Sequence, residues 1–405
     1  MTMRTLSKCV GILKTCYPAN RVSFDKLRTR NSSTFLRGFP QFAYMMDNSR
    51  PVSTALPKEK PKKPILVSKE EIEEFDNIFP DLVKDLVTNE EFGNLTEVTS
   101  RLTKSLTYNV PHGKKNRGLA VVACYKILEK SENLTSKNVR LANILGWLIE
   151  MLQAFLLVMD DITDGSETRR NQLCWYKLEN IGLTAINDGL ILENSVYLLL
   201  KKHFSQHPSY LHLMESFLDV TRKTIMGQIL DCNIVGMETL SMERYELIAY
   251  NKTAHYSFFL PVSLALYLAN YRDPEIHQEV KLVLLEMGKF FQIQDDYLDC
   301  FGDPEVTGKI GTDIETGKCT WLAAKALQLA SPSQKKIMEE NYGIDNPVNV
   351  KKIKDLYDEL GMVELYAQYE EQSYSEIQSM IQELPKKVPT EMLQKMIAVI
   401  YKRNA

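Results

Sequence analysis

The chain has 405 residues, 44% hydrophobic and 25% charged, the make-up of an ordinary globular protein rather than a disordered or fibrous one. A net charge of −3, with bases interspersed among acids after residue 65, argues against a broad nucleic-acid footprint. Seven widely spaced cysteines without a C-x-x-C pair argue against a disulfide framework or a thiolate zinc site and fit a reducing compartment.

Before Met46, Arg4, Lys8, Lys14, Arg21, Lys26, Arg28, Arg30 and Arg37 face one acid, Asp25, among many Ser and Thr. Residues 1–46 therefore read as a mitochondrial transit segment; the alternative, a merely disordered basic tail, would leave the protein cytoplasmic. Pro51, Pro57, Pro61 and Pro64 mark 47–67 as a linker. A domain over 68–405 starts at Ser68, where Glu71 three residues on completes a capping box. Helix-period segments follow at 68–87, 117–131, 136–165, 185–204, 208–234, 241–270, 274–300 and 318–330, and over 352–401 with breaks. Strand-like alternation is scarce, so the fold class is all-α, one large helical bundle. The most apolar stretch, Phe258 to Leu268, is too short to span a bilayer and contains Pro261, so no membrane span is expected.

Two of these helices carry chemistry. The run from Leu145 is apolar at almost every position until Asp160, Asp161 and Asp164. Asp160 and Asp164 lie one turn apart, about 5.4 Å along the axis, and leave one face. Like charges at the negative end of a buried helix are unfavourable unless a cation neutralises them. The same device recurs where Phe290 to Gln294 lead into Asp295, Asp296 and Asp299. Oxygen ligands without nearby His or Cys select Mg²⁺ or Mn²⁺, and Mg²⁺ commonly shares its ligands with phosphates. The implied substrate is a diphosphate. Arg169 and Arg170 follow the first cluster, Lys309 and Lys318 the second, and Lys252 with Thr253 interrupts another apolar helix. Gly113, Lys114 and Arg117 fall at a helix start, where backbone N–H groups favour a second anion.

The segments YNVPHGKKNRG, LLVMDDITDGSETRRNQLCWY, GQILD, KTAHYSF, FFQIQDDYLDCFGDPEVTGKIGTD and the closing YKR, in this order, resemble short-chain trans-isoprenyl diphosphate synthases of the animal farnesyl diphosphate synthase type over residues 68–403. The resemblance implies the isoprenoid synthase fold, a bundle around a central cavity, and a homodimer. It implies that Asp160, Asp161, Asp164, Asp295, Asp296 and Asp299 hold three Mg²⁺ ions on an allylic diphosphate, with Arg169, Lys252, Lys309 and Lys318 binding that group. Thr253 and Gln292 would shield the allylic cation. Isopentenyl diphosphate would be gripped by Gly113, Lys114, Arg117, Gln153, Arg170 and Arg403. Phe155 and Leu156 would set chain length; farnesyl-forming members usually carry Phe at both, so geranyl, farnesyl or a mixture stays open.

His112, Asn171 and His255 depart from the family pattern around the expected isopentenyl site. A terpene synthase of the same fold, acting on an allylic diphosphate such as farnesyl diphosphate, is the alternative enzyme. A silent prenyl-binding subunit is the alternative outside enzymes. His203, His207 and His212 also raise a zinc reading, weakened by the lack of a fourth ligand at suitable spacing.

Overall fold

The computed structural model describes residues 67–88, 95–233, 236–303, 305 and 311–401. The chain divides into two units, 1–61 and 62–405, and these residues belong to the second. The expected transit segment, almost all of the linker, Lys309 and Arg403 lie outside the described residues.

Helix α1 (Lys69–Asp76) starts at the expected capping box, with Glu71 N donating to Ser68 Oγ at 3.2 Å and Ser68 N to Glu71 Oε2 at 2.7 Å. After α2 (Phe79–Val87) comes α3 (Thr96–Asn109), a helix the hydrophobic pattern did not reveal. Its sequence is rich in Ser and Thr, and it buries chiefly Leu102 and Leu106. Next come α4 (Asn116–Leu128) and α5 (Ser136–Asp164). By length and composition α5 could cross a membrane, yet 83% of its most apolar window is buried in the protein, which makes it the core helix.

Among the described residues the only strands are β1 (Thr168–Arg169) and β2 (Gln172–Leu173), paired antiparallel. Arg170 and Asn171 turn the chain between them with φ of 54° and 61°. A two-residue hairpin with positive φ at both central positions favours Gly or Asn. Asn171 therefore meets the conformational demand of its position.

Helices α6 (Ala185–Phe204), α7 (Tyr210–Cys232) and α8 (Met242–Ile248) lead into a π-helical segment, Ala249–Phe259, continued by α9 (Leu260–Leu268). Then follow α10 (Pro274–Phe301), α11 (Trp321–Leu329), α12 (Pro332–Asn341), α13 (Pro347–Glu359), α14 (Met362–Gln382) and α15 (Glu391–Ile400). One apolar cluster joins α1 to α7 with α9, the first half of α10 and α15; a second joins α8, the end of α10 and α11 to α14.

The π segment lies between α7 and α10. Glycines permit its close approach on both sides: a Cβ on Gly227 would stand 2.2 Å from Lys252 N, and one on Gly288 2.3 Å from Ala254 Cβ. A π-helical bulge inside a helix often marks a functional site, because the wider turn re-aims side chains. Here it presents Lys252 and Thr253.

Candidate active site

Helix α5 ends at Gly165, φ 68°, just after its acidic residues. Asp160 accepts from Gln228 Nε2 at 2.7 Å and pairs with Lys252 Nζ at 3.2 Å and Arg169 Nη2 at 3.4 Å. Asp164 pairs with Lys318 Nζ at 3.0 Å. Between the two lysines sits Asp231, buried, at 2.6 Å from Lys252 and 3.0 Å from Lys318. Carboxylates and ammonium groups thus alternate in one chain, Asp160, Lys252, Asp231, Lys318, Asp164. Burial opposes the charge on Lys252, but Asp160 and Asp231 outweigh it and hold the ammonium above its usual range. Burial likewise raises the Asp231 carboxyl, and the two lysines more than reverse this.

Asp161 has a different task. It is 4% exposed and accepts from Arg169 Nε at 2.9 Å and Nη2 at 2.5 Å. Burial raises its carboxyl despite the guanidinium.

In the second cluster Asp296 is buried, and burial raises its carboxyl too. Its Oδ2 accepts from Trp321 N, at the start of α11, at 2.8 Å, and its Oδ1 from Gln292 Nε2 at 2.9 Å. Gln292 Oε1 in turn accepts from Thr253 Oγ1 at 2.5 Å. Asp299 accepts from Asp313 N at 3.1 Å, and Asp295 is half-buried.

Adjacent residues of the π segment therefore touch both acidic ends: Lys252 reaches Asp160, and Thr253 reaches the Gln292–Asp296 pair. Lys318, which follows the second cluster in sequence, reaches across to Asp164 of the first. The two helix ends are thus joined by side-chain contacts, and Asp160, Asp164, Gln228, Lys252, Gln292, Asp295 and Asp299 are all half-buried.

The donor set suits a hard divalent cation. Asp160, Asp164, Asp295 and Asp299 offer oxygen, and lysines already satisfy Asp160 and Asp164 electrostatically. No three His, Cys, Asp or Glu side chains among the described residues form a metal-holding group alone. The three histidines weighed for zinc have other partners. His203 Nε2 pairs with Asp85 at 2.8 Å, His207 Nδ1 accepts from Ser209 N at 3.1 Å, and His212 packs 4.9 Å from the Tyr267 ring.

A second group of basic residues surrounds Arg117 and Arg170. Lys115, at φ 50°, is used by Asp76 at 2.6 Å, which leaves its neighbour Lys114 exposed. Arg117 donates from Nε to Ser257 Oγ and from Nη2 to Tyr256 OH, each at 2.9 Å, and lies 4.6 Å over the Tyr256 ring. Arg170 donates to Asn109 O at 3.1 Å, and a Cβ on Gly113 would meet its Nε at 2.8 Å, so Gly113 and Arg170 are in contact. Burial lowers the affinity of Arg170 for its proton, opposed by the nearby Glu150. Gln153 reaches Arg117. Phe155 is buried and Leu156, one turn before Asp160, is half-buried.

Sequence reasoning missed Asp231, Gln228, Glu150 and Tyr256. Gln228 and Asp231 stand in GQILD at i, i+3 spacing on one helix face, a signal that gains meaning only once α7 is packed beside α5. His255, expected to flank the isopentenyl site, is buried near Lys223 and Asp219 of α7 and Lys281 of α10.

Three comparisons bear on this geometry. The model of the polyprenyl synthetase family matches residues 99–360. The farnesyl pyrophosphate synthase of Gallus gallus is 47% identical over 348 residues, 84% of this chain and 94% of the relative, and the mitochondrial farnesyl pyrophosphate synthase 1 of Arabidopsis thaliana is 45% identical over 335 residues, 82% and 87%. The structure of T. brucei farnesyl diphosphate synthase complexed with homorisedronate superposes with a TM-score of 0.76 at 29% identity, covering 82% of this chain and all of that one.

Proposed function

The chain belongs to the polyprenyl synthetase family, and from that premise we propose which residues condense isopentenyl diphosphate with an allylic diphosphate, and to what product. The enzyme is a trans-prenyltransferase. Its main product is farnesyl diphosphate, formed through geranyl diphosphate. What supports the reading is one arrangement: two acidic helix ends meeting through Lys252 and Thr253 of a π-helical segment.

Asp160, Asp164, Asp295 and Asp299 would hold Mg²⁺, three ions in all; Asp161 and Asp296, already engaged inward, position Arg169 and Gln292 instead. Bound Mg²⁺ supplies charge that favours departure of the diphosphate. Lys252, Lys318 and Arg169, with Lys309 included on resemblance, bind the same group. When the allylic carbon–oxygen bond breaks, both electrons leave with the oxygen. The carbocation lies near the Thr253 and Gln292 oxygens and the carbonyls of the π segment, fixed dipoles that favour positive charge. The double bond of isopentenyl diphosphate, held by Lys114, Arg117, Arg170 and Arg403, supplies the electrons of the new carbon–carbon bond. Loss of a proton to the departed diphosphate restores a double bond. Leu156, half-buried one turn before Asp160, meets the growing chain.

The second copy of a homodimer would cover Leu183, Ile186 and Leu190, together with Leu211, Leu218, Ile225 and Ile229 of α7, an exposed apolar stripe in part at seven-residue spacing. Residues 1–46 direct the protein to mitochondria.

The test is product analysis with Mg²⁺ and dimethylallyl or geranyl diphosphate, with and without isopentenyl diphosphate. Elongated diphosphates only when both substrates are present is the expected result. Olefins or alcohols formed at equal rate without isopentenyl diphosphate would favour the terpene synthase.

A further inference from the structure

Glu150 is 1% exposed in the middle of α5, and the chemistry above does not use it. A carboxylate this deep is retained at a cost unless its oxygens are well partnered. Its Oε1 accepts from Gly118 N at 2.8 Å. A single orientation of the neighbouring Gln153 amide suits both sides, with nitrogen donating to Glu150 Oε2 at 3.1 Å and oxygen accepting from Arg117 Nη1 at 2.8 Å. Arg117 is then held by three acceptors, Gln153 Oε1, Tyr256 OH and Ser257 Oγ.

We propose that Glu150 is a positioning residue for isopentenyl diphosphate: it fixes the Gln153 amide so that its oxygen faces Arg117, and thereby aims the Arg117 guanidinium at the diphosphate. An amide has one accepting and one donating end, so whatever binds the nitrogen decides where the oxygen points. The acceptor-only carboxylate claims the nitrogen. An amide side chain in place of Glu150 could instead offer its own N–H to the Gln153 oxygen, and the Gln153 nitrogen would then face Arg117 N–H, donor against donor. Glu150 also stands within electrostatic reach of Arg170, offsetting the repulsion between two guanidinium groups before the substrate arrives.

This inference rests on the isopentenyl assignment of Arg117, so the experiment includes Arg117→Ala as a separate arm. KM for isopentenyl diphosphate, KM for geranyl diphosphate and kcat are measured for wild type, Glu150→Gln and the exchange Glu150→Gln with Gln153→Glu. The single variant should raise KM for isopentenyl diphosphate about tenfold and leave KM for geranyl diphosphate within twofold. The exchange swaps the amide and the carboxylate, which restores an acceptor opposite Arg117 with the relocated amide donating to it, and should bring that KM back to within about threefold of wild type. Equal changes in both KM values, no change in either, or an exchange no better than the single variant would overturn the proposal. If Arg117→Ala itself spares KM for isopentenyl diphosphate, the site assignment fails instead, and the role of Glu150 with it. Should Glu150→Gln not fold, Glu150→Asp keeps the charge but shortens the reach; the same selective rise in KM is expected, and its absence counts against the relay.

Discussion

At the end of α5 the middle aspartate of the acidic triplet is neutralised by a cation; at the end of α10 its counterpart is held by dipoles. Asp161 takes the Arg169 guanidinium, while Asp296 takes a backbone N–H at the start of α11 and the Gln292 amide. Identical spacing therefore builds two different supports. The first ties the β1–β2 hairpin, with Arg169 and Arg170, to the core helix. The second fixes Gln292 and through it Thr253. In each, the middle aspartate is buried as scaffold, while the outer two are half-buried.

The largest expected effect tests whether the outer residues are equivalent. Asp160→Ala and Asp295→Ala should each lower kcat/KM for coupling by at least about a thousandfold, on the order of 4 kcal/mol of transition-state stabilisation. Product formation over a wide Mg²⁺ range checks this. A retained rate in one variant would break the equivalence and withdraw that residue from the metal set.

A smaller effect separates the inner residues from the outer ones. Asp161→Asn removes the nearer counter-charge of Arg169 and leaves Asp160 at 3.4 Å, with an expected loss of about tenfold in kcat/KM and about 1 kcal/mol in stability, discounted because Arg169 is partly solvated. Asp296→Asn keeps an acceptor for Trp321 N but turns an N–H toward Gln292 Nε2, and should also cost about tenfold. Neither should alter the Mg²⁺ concentration for half-maximal rate, which Asp160→Asn and Asp295→Asn should raise. Were Asp161→Asn to raise it as well, Asp161 would be a ligand and the inward assignment wrong.

Both acidic ends were legible in the sequence because charge at the end of an apolar helix has few explanations. The division of labour within each end was not, since three aspartates at i, i+1 and i+4 look alike until a partner claims one. Asp161 is distinguished by Arg169 eight residues on, and Asp296 by the Trp321 amide, a contact no local pattern encodes. Helix α3 escaped notice because TEVTSRLTKSLTYN offers too few apolar positions for a clear period, although Leu102 and Leu106 bury fully enough to hold it. Helix α12 escaped despite a readable start, Ser331-Pro332-Ser333-Gln334, whose capping box forms as the pattern allows. Conversely, the break at Lys252 and Thr253 in an apolar run was a true signal: it marks the π segment that brings the two ends together.

The segment joining the two ends carries the smallest effect and the most specific. Desolvation, then Lys223 of α7 and Lys281 of α10, push His255 down to about 3, against the weaker pull of Asp219. The imidazole is thus neutral when folded, whereas in the unfolded chain it takes a proton near its ordinary value of about 6.5. Between those values the unfolded state binds more protons, so the stability present above pH 6.5 is lost progressively as pH falls toward 3. Replacing His255 with Phe, which cannot titrate, removes this linkage. At pH 5 the variant should gain about 2 kcal/mol relative to its difference from wild type at pH 7.5, read from urea unfolding at both values. Carboxylates of the two acidic ends titrate in both proteins and cancel in the comparison. An equal difference at the two pH values would mean that His255 is already solvated or protonated in the folded enzyme, and that acid sensitivity arises in the clusters themselves.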